Sequence, residues 1–172
     1  MMTEQQAQIT LDHLINSESY KSLSSEAKQQ ALFNISKDVS VDASGSTTIL
    51  YSGNIDGQKT GDIVATIAEL DPNVRIINNT DAARFLNSKK LKKALYETTG
   101  IDWNSYIRDT LSPEQKAIIK DLNDNKLYSS TGPWSQASKR FAQETKGRVI
   151  ILIGKDADPK KIFGSIEFQE LM

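Results

Sequence analysis

The most informative side chains lie in the segment that follows Pro133. Trp134, Ser138 and Phe141 are spaced at i, i+4 and i+7, so on a helix they share one face. Proline is common at the first helical position, which predicts that a helix begins here. The free amides and positive dipole at such a start favour a phosphate, and an indole beside them suits a ligand with a flat ring. The same aromatic spacing is also typical of a helix whose aromatic side chains simply pack in the hydrophobic core.

A second candidate is the carboxylate of Glu167, which lies between Ile166 and Phe168 near the end of the chain. Neighbouring side chains on a strand point to opposite faces. Glu167 is therefore either solvent-facing on an edge or set in a partly apolar pocket, where it could stabilise a cationic transition state. Taken alone, the residues favour the edge-strand interpretation.

The residue types that are missing narrow the chemistry further. The 172 residues include no cysteine and one histidine, His13. Disulfides, thiol nucleophiles and cysteine-ligated metals are therefore excluded. We expect His13 at the surface. With one histidine, the chain does not have the residues for Ser-His-Asp hydrolysis, paired-His ribonuclease chemistry or a His-rich zinc site. We expect neither a metal nor a resident cofactor, and carboxylates, hydroxyls and aromatic rings must carry any catalysis.

The charge balance argues against nucleic acid as a partner. The chain has 21 basic and 22 acidic side chains and a net charge of -1, whereas nucleic-acid binders usually carry a basic excess. The lysines at 89–93 are expected to form a solvated helix face. No apolar run approaches the roughly 20 residues that span a bilayer, so we expect no membrane partner.

The pattern along the chain predicts an α/β fold. Two helices are expected within 3–40, with Ser24 as a capping candidate, and the loop at 42–46 marks the one plausible internal boundary. Strand and helix signals then alternate, which favours a largely parallel sheet between helical layers. The strands are predicted at 47–51, 74–77, 148–153 and, more weakly, 162–168. The helices are predicted at 63–70, 81–96, 113–123 and from 133 to Gly147.

This organisation indicates a single domain over 1–172, with 1–42 as a helical subregion and 46–172 as the α/β core. The aliphatic strand at 148–153 is expected in the middle of the sheet, because strands without polar alternation are usually covered on both faces. Ligands of parallel sheets gather beyond the carboxyl ends of the strands. The segment Tyr51-Ser52-Gly53 lies at such an end.

The last third of the chain resembles the ADP-ribosyl cyclase family. The resemblance runs through Trp134–Ala142, the strand Val149–Ile153 and the segment Ile162–Glu167, with Trp, Ser, Arg-Phe and Phe-Gly-Ser-aliphatic-Glu in the family's order and spacing. Upstream, Ile49–Gly53 is similar to the family's strand that ends in Trp-Ser-Gly. The resemblance implies an ADP-ribosyl cyclase-like fold and cleavage of NAD+ between nicotinamide and ribose.

The resemblance also implies a role for each matching residue. Glu167 corresponds to the catalytic glutamate that stabilises the ribosyl cation, or its covalent equivalent, after nicotinamide leaves. Trp134 corresponds to a tryptophan that packs against the substrate, and Ser138 to a serine that contacts the ribosyl intermediate. We expect these three catalytic residues to line one cleft. The substrate-binding residues that the resemblance implies are Tyr51, Ser52, Gly53, Asp81, Arg140 and Phe163.

Two departures from the family pattern affect the expected activity. The family's disulfides are absent, which favours a cytoplasmic site of action. In the family, an acidic Glu-Asp pair after the second strand controls whether the ribosyl intermediate cyclises or is hydrolysed. In the corresponding segment of this chain, Ile77–Asp81, Asp81 is the one acidic residue. We therefore expect ADP-ribose rather than cyclic ADP-ribose as the main product.

These inferences lead to an NAD+ glycohydrolase for which NAD+ is substrate and not cofactor. Such a domain fits the toxin part of a larger bacterial protein that acts by contact-dependent inhibition and is delivered into a target cell. A cognate immunity protein is then the expected partner. The alternatives are a cyclase that makes cyclic ADP-ribose, a non-catalytic nucleotide-binding module, and a nuclease toxin that only the lysine cluster supports.

Overall fold

The structure is a computed structural model that describes residues 1–154. Three helices come first: α1 (Glu4–Asn16), α2 (Glu18–Lys21) and α3 (Ser25–Ser36). The next elements are β1 (Thr47–Ser52), β2 (Asn54–Ile55), β3 (Gln58–Lys59), α4 (Thr60–Leu70) and β4 (Val74–Arg75). The last are α5 (Asp81–Leu86), α6 (Lys89–Glu97), α7 (Trp103–Ile107), α8 (Pro113–Leu122), α9 (Pro133–Gln143) and β5 (Arg148–Ile153).

The helix starts follow local capping chemistry. Thr3 and Gln6 form a reciprocal capping box at α1, and the Ser24 hydroxyl accepts from the backbone of the first turn of α3. These starts confirm the two helices predicted within 3–40, with the short α2 as an addition. The capping box at Ser112 and the proline at the start of α9 are confirmed in the same way.

The sheet of the described residues has three parallel strands in the order β4-β1-β5. Thr47 lies opposite Val74 on one side and Arg148 on the other. The prediction of an α/β fold with a parallel sheet is thereby confirmed. Its central strand is β1, whose residues Thr48 to Leu50 are all buried.

β5 pairs with the central strand of the described residues. It lies beside β1, and its Ile151 and Ile153 are 41% and 50% exposed. The strand predicted at 162–168 lies outside the described residues, so the expectation that β5 lies in the middle of the sheet stays a prediction. Within residues 1–154 the middle position belongs to β1, and the hydroxyl of its buried polar residue Thr48 accepts a hydrogen bond from Arg75.

Helices cover both faces of the sheet. Leu50 belongs to the larger core cluster, which also holds Leu11, Leu32 and Phe141 from α1, α3 and α9. On the other face, Ile49 packs in a smaller cluster with Val64 of α4. The N-terminal helices and the α/β part therefore share one core.

Three predicted elements are shorter in the structure. The helix expected from 133 to Gly147 ends at Gln143. The helix expected over 81–96 is divided into α5 and α6, because Ser88 caps a new helix through the backbone of Leu91. The strand expected over 74–77 ends at Arg75 and is followed by a 3-10 turn at Ile77–Asn79. Side-chain caps and turns interrupt apolar patterns that look continuous in the sequence.

Three further local elements are additions to the prediction, and two expectations about exposed groups hold. The additions are the β2-β3 hairpin, the short α7, and a π-helical turn at Asn123–Leu127. His13 is exposed, and the lysines of α6 point mainly to solvent, as expected. Among the residues that the structure describes, no helix is long and apolar enough to cross a membrane.

Arg75 is a buried charge, 5% exposed, at the centre of the fold. Its Nη1 donates to Thr48 Oγ1 at 2.9 Å, and its Nε donates to the Ala43 carbonyl at 3.3 Å. The guanidinium lies 4.1 Å from the centroid of the Phe141 ring, a favourable cation-π geometry. Burial lowers the pKa of Arg75, and nearby carboxylates, Glu144 first, partly offset this. One side chain thus joins β4, β1, the preceding loop and α9.

We expect Arg75→Ala to lower the free energy of unfolding by about 3 kcal/mol, because it leaves buried acceptors at Thr48 and Ala43 without a donor. Arg84→Ala is the control, since Arg84 is exposed and pairs with Asp81 at 3.3 Å on the surface. Its loss should cost less than about 0.5 kcal/mol. Urea unfolding of both variants measures the difference, and equal effects would contradict the central role of Arg75.

Candidate functional site

The carboxyl ends of β1 and β4 open onto a cleft of about 550 Å³. This carboxyl-end cleft is lined by Tyr51, Ser52, Gly53, Thr60 and Asn78, among others. Parallel strands all end at the same edge of their sheet, which is where ligands of α/β proteins usually bind. The structure therefore brings the three predicted residues of the β1 end to one concave surface.

A small hairpin connects β1 to α4 beside this cleft. Asp56 and Gly57 both have positive φ, at 50° and 81°, as expected for a two-residue turn of the Asp-Gly type. The Gly53 carbonyl then accepts hydrogen bonds from the Thr60 backbone at 2.9 Å and from the Thr60 hydroxyl at 2.8 Å. These bonds place the amino end of α4 at the cleft.

The aromatic ring of Tyr51 lies against the first turn of α4. A Cβ built on Gly61 would stand 3.3 Å from Cε2 of Tyr51. The ring is half-buried and packs against both core clusters. The missing side chain at Gly61 therefore allows an aromatic wall to lie directly on the positive end of a helix dipole.

The rim of the carboxyl-end cleft carries both signs of charge. Lys59 precedes α4, and Asp62 lies in its first turn. Asn78, from the turn after β4, adds an uncharged amide. Such a cleft can receive a ligand that combines an anionic group, a cationic group and a flat ring.

Helix α9 runs opposite to the strands. Its C-terminal residues Gln143 and Glu144 line a second cleft together with Gly45, just before β1 begins. Trp134 lies seven residues before Phe141, which is about 10 Å along the helix at 1.5 Å per residue. It therefore lies toward the carboxyl ends of the strands. Trp134 and Tyr51 accordingly lie toward the same end of the sheet.

The predicted shared face of α9 is the buried one. Trp134 is 7% exposed, Ser138 is 1% exposed, and Phe141 is fully buried. The Trp134 ring stacks on Tyr128, with centroids 6.2 Å apart and planes at 21°. Within residues 1–154, its Nε1 is buried without a hydrogen-bond acceptor. Trp134 and Ser138 are not among the described residues that line the carboxyl-end cleft.

Two other predicted residues are used by the protein itself. Asp81 begins α5 and pairs with Arg84, and the residue of that segment which lines the cleft is Asn78. Arg140 donates from Nη1 to the Val39 carbonyl and from Nη2 to the Ser36 carbonyl, at 2.9 and 3.0 Å. Both terminal nitrogens hold α9 to the segment at the end of α3, and substrate contact by Arg140 stays a prediction.

Glu167 and Phe163 lie outside the described residues, as does the segment 162–168. Their predicted roles as catalytic carboxylate and substrate-binding residue stay predictions. The same holds for the expectation that Glu167, Trp134 and Ser138 line one cleft.

The second cleft, of about 670 Å³, lies at the amino ends of the strands and has a different character. Burial raises the pKa of Glu144, and a hydrogen bond with Asp42 raises it further, while Arg140 and Arg75 act in the opposite direction. The hydrogen bond between Asp42 and Glu144 connects the loop before β1 to the end of α9. We interpret this cleft as structural, since this bond joins two parts of the chain.

The described residues contain no group of three or more histidine, aspartate or glutamate side chains arranged to hold a metal ion. Comparison with known proteins finds no matching family model, no matching curated protein and no matching solved structure. The resemblance to the ADP-ribosyl cyclase family therefore rests on the sequence motifs alone.

Sequence reasoning missed three residues that shape this region: Asn78, Gly61 and Tyr128. The Asp56-Gly57 pair was a readable hairpin signal, and it would have placed the start of α4 beside the end of β1. Nothing in the local sequence of Tyr128 indicates its stacking on Trp134, because that contact depends on the shape of the turn between them.

We expect Gly61→Ala to separate stability from ligand binding. Alanine favours the helix by up to about 1 kcal/mol relative to glycine, whereas its Cβ must displace the Tyr51 ring by a few tenths of an ångström. The melting temperature should stay the same or rise, and the affinity for ADP-ribose should fall in calorimetric titration. Glu69→Ala, at an exposed position on the same helix, is the control. Unchanged affinity in Gly61→Ala would remove Tyr51 from the ligand contacts.

Proposed function

We propose that the chain is an NAD+ nucleosidase, which cleaves the nicotinamide–ribose bond and releases nicotinamide and ADP-ribose. The observation that carries the proposal is the carboxyl-end cleft, where Tyr51, Ser52 and Gly53 meet the amino end of α4. These are three of the six residues that the family resemblance marks for substrate binding. Their convergence with a helix start supports a ligand that contains phosphate.

The cleft suits NAD+ in size and in charge. Its volume of about 550 Å³ lies within the usual range for small-molecule sites. NAD+ joins a flat cationic ring to a diphosphate, and the cleft offers the ring of Tyr51, the carboxylate of Asp62, the ammonium of Lys59 and the first turn of α4. Hydroxyls of Ser52 and Thr60 stand beside them as hydrogen-bonding groups.

The proposed reaction agrees with the available side chains. When the bond between C1′ and the pyridinium nitrogen breaks, its electron pair passes to nitrogen and nicotinamide leaves as a neutral molecule, so no general acid is required. A carboxylate then stabilises the ribosyl cation, the role we assign to Glu167 with Trp134 and Ser138 beside it. Water adds to C1′ and loses a proton, which completes ADP-ribose.

The proposed setting is a bacterial toxin domain that acts in the cytoplasm of a target cell. The cysteine-free composition supports an action in a reducing compartment. A domain that depletes NAD+ would require an immunity protein in the producing cell, and the concave cleft is the surface such a protein would have to block.

We expect Glu167→Gln to lower kcat for NAD+ hydrolysis by roughly a hundred- to a thousandfold, because loss of one preorganised electrostatic partner typically costs about 3 to 4 kcal/mol. The affinity for NAD+ should change little, since the charge it stabilises forms only near the transition state. Steady-state nicotinamide release and direct NAD+ binding measure the two effects.

Two variants serve as controls for this experiment. Glu170→Gln removes a carboxylate three positions further along and should leave kcat unchanged. Trp134→Ala removes the ring that the family resemblance assigns to substrate contact, so affinity and turnover should fall together. A folded Glu167→Gln protein with normal turnover would show that Glu167 is not the catalyst.

We further expect ADP-ribose to be the dominant product, because the cleft residue after β4 is the neutral Asn78. Asn78→Glu should increase the proportion of cyclic ADP-ribose, since the resemblance links an acidic group in this segment to cyclisation. Asn79→Glu is the control, because it adds the same charge at the adjacent exposed position, which is not among the residues that line the cleft. It should not change the product ratio. Chromatography of the products decides, and mostly cyclic nucleotide from the natural chain would contradict the expectation.

A further inference from the structure

The carboxyl-end cleft carries a nearly balanced charge. Among the described residues that line it, Lys59 supplies the positive charge and Asp62 the negative one. Both side chains are exposed, and they lie three positions apart at the start of α4, a spacing that makes them neighbours on a helix. Within residues 1–154 neither takes part in an ion pair. Both charges therefore act on a ligand that enters the cleft.

The hairpin beside the cleft adds a further carboxylate. Asp56 is exposed in the turn between β2 and β3, and Lys59 lies opposite Asn54 in the same hairpin. From Tyr51 to Thr66 the chain contains one basic and two acidic side chains, which leaves an excess of one negative charge. In this segment, positive potential comes from Lys59 and from the first amides of α4.

This balance suits NAD+ but not a dinucleotide with a further phosphate. The diphosphate of NAD+ can interact with the ammonium of Lys59 and the start of α4, and its pyridinium ring with the carboxylate of Asp62. A phosphate ester on the adenosine ribose, as in NADP+, adds about 1.5 to 2 negative charges. The described lining residues offer no second cation for that charge.

The repulsion does not depend on which way round the dinucleotide lies. A cleft of about 550 Å³ is roughly 10 Å across, which is close to the screening length of about 8 Å at physiological salt. A phosphate added anywhere in the cleft is therefore within about one screening length of the Asp62 carboxylate. The two like charges then repel each other in either orientation of the ligand.

We propose that Asp62 is a specificity-determining residue, which makes the site selective for dinucleotides whose ribose hydroxyls carry no phosphate. NAD+ is then a substrate, and NADP+ is disfavoured by charge repulsion. This inference rests on the proposed function and extends it, because it specifies the substrate class. Dinucleotide-binding sites that accept NADP+ place an arginine near the 2′-phosphate, whereas this cleft presents a carboxylate.

Steady-state release of nicotinamide from NAD+ and from NADP+ measures this selectivity. In the natural chain at low salt, kcat/KM for NAD+ should exceed that for NADP+ by at least about tenfold. Asp62→Asn removes the charge but preserves the size of the side chain, and it should lower this ratio by about five- to tenfold, mainly through KM for NADP+. Added salt should lower the ratio of the natural chain and leave that of Asp62→Asn unchanged, because salt screens the repulsion.

Two variants serve as controls for the charge. Asp62→Glu preserves the carboxylate and should retain the selectivity. Glu69→Gln removes an exposed carboxylate of the same helix that is not among the residues lining the cleft, about 10 Å further along at 1.5 Å per residue, and it should leave the ratio unchanged. Equal cleavage of NAD+ and NADP+ by the natural chain overturns the inference, as does a selectivity that persists in Asp62→Asn.

Ligand binding tests the inference without catalysis. In calorimetric titration, the 2′-phosphate of ADP-ribose should bind the natural chain about tenfold more weakly than ADP-ribose does, and Asp62→Asn should bind the two nearly equally. Nicotinamide release without discrimination refutes the inference alone. Discrimination in binding without nicotinamide release refutes the proposed reaction and supports the selectivity of the cleft. Absence of both nicotinamide release and ADP-ribose binding refutes the proposed function, and the inference with it.

Discussion

The buried guanidinium of Arg75 is the interaction on which the arrangement of the other elements depends. It lies between the central strand, the loop that enters that strand, and the Phe141 ring of α9. Because a buried charge is tolerated only where its hydrogen bonds are satisfied, these elements cannot move independently. Arg75 therefore links β4, β1 and α9 at one point.

This arrangement gives the two ends of the sheet different properties. At the amino end, Asp42, Glu144 and Arg75 line one cleft, and Asp42 and Glu144 share a hydrogen bond. At the carboxyl end, β1 finishes in Tyr51 and Ser52, and α4 begins beside them. An end at which a loop is hydrogen-bonded to a helix serves stability, whereas an end with a helix dipole and an aromatic wall is suited to binding an anionic, ring-containing ligand.

Much of the local structure could be predicted from the sequence, because its signals are local. Ser24, Ser112 and Pro133 mark helix starts through the hydrogen bonds of single turns, and the end of β1 at Ser52-Gly53 follows from residue type. The role of Arg140 differs. The family motif around it indicates a substrate-binding residue. In the structure, its Nη1 and Nη2 donate to the carbonyls of Val39 and Ser36, about a hundred positions away, and the sequence next to Arg140 does not indicate these partners.

The sequence by itself determined the helix boundaries set by caps, the parallel α/β class, and a chemistry without thiols or metal-binding histidines. Those properties follow from composition and from spacing over a few residues. Only the tertiary structure decided that β1 lies between β4 and β5, that Asn78 and not Asp81 lines the described cleft, and that Tyr128 stacks on Trp134. Each depends on which distant segments meet, and that is settled by the joint burial of apolar faces and buried hydrogen bonds, which no single segment specifies.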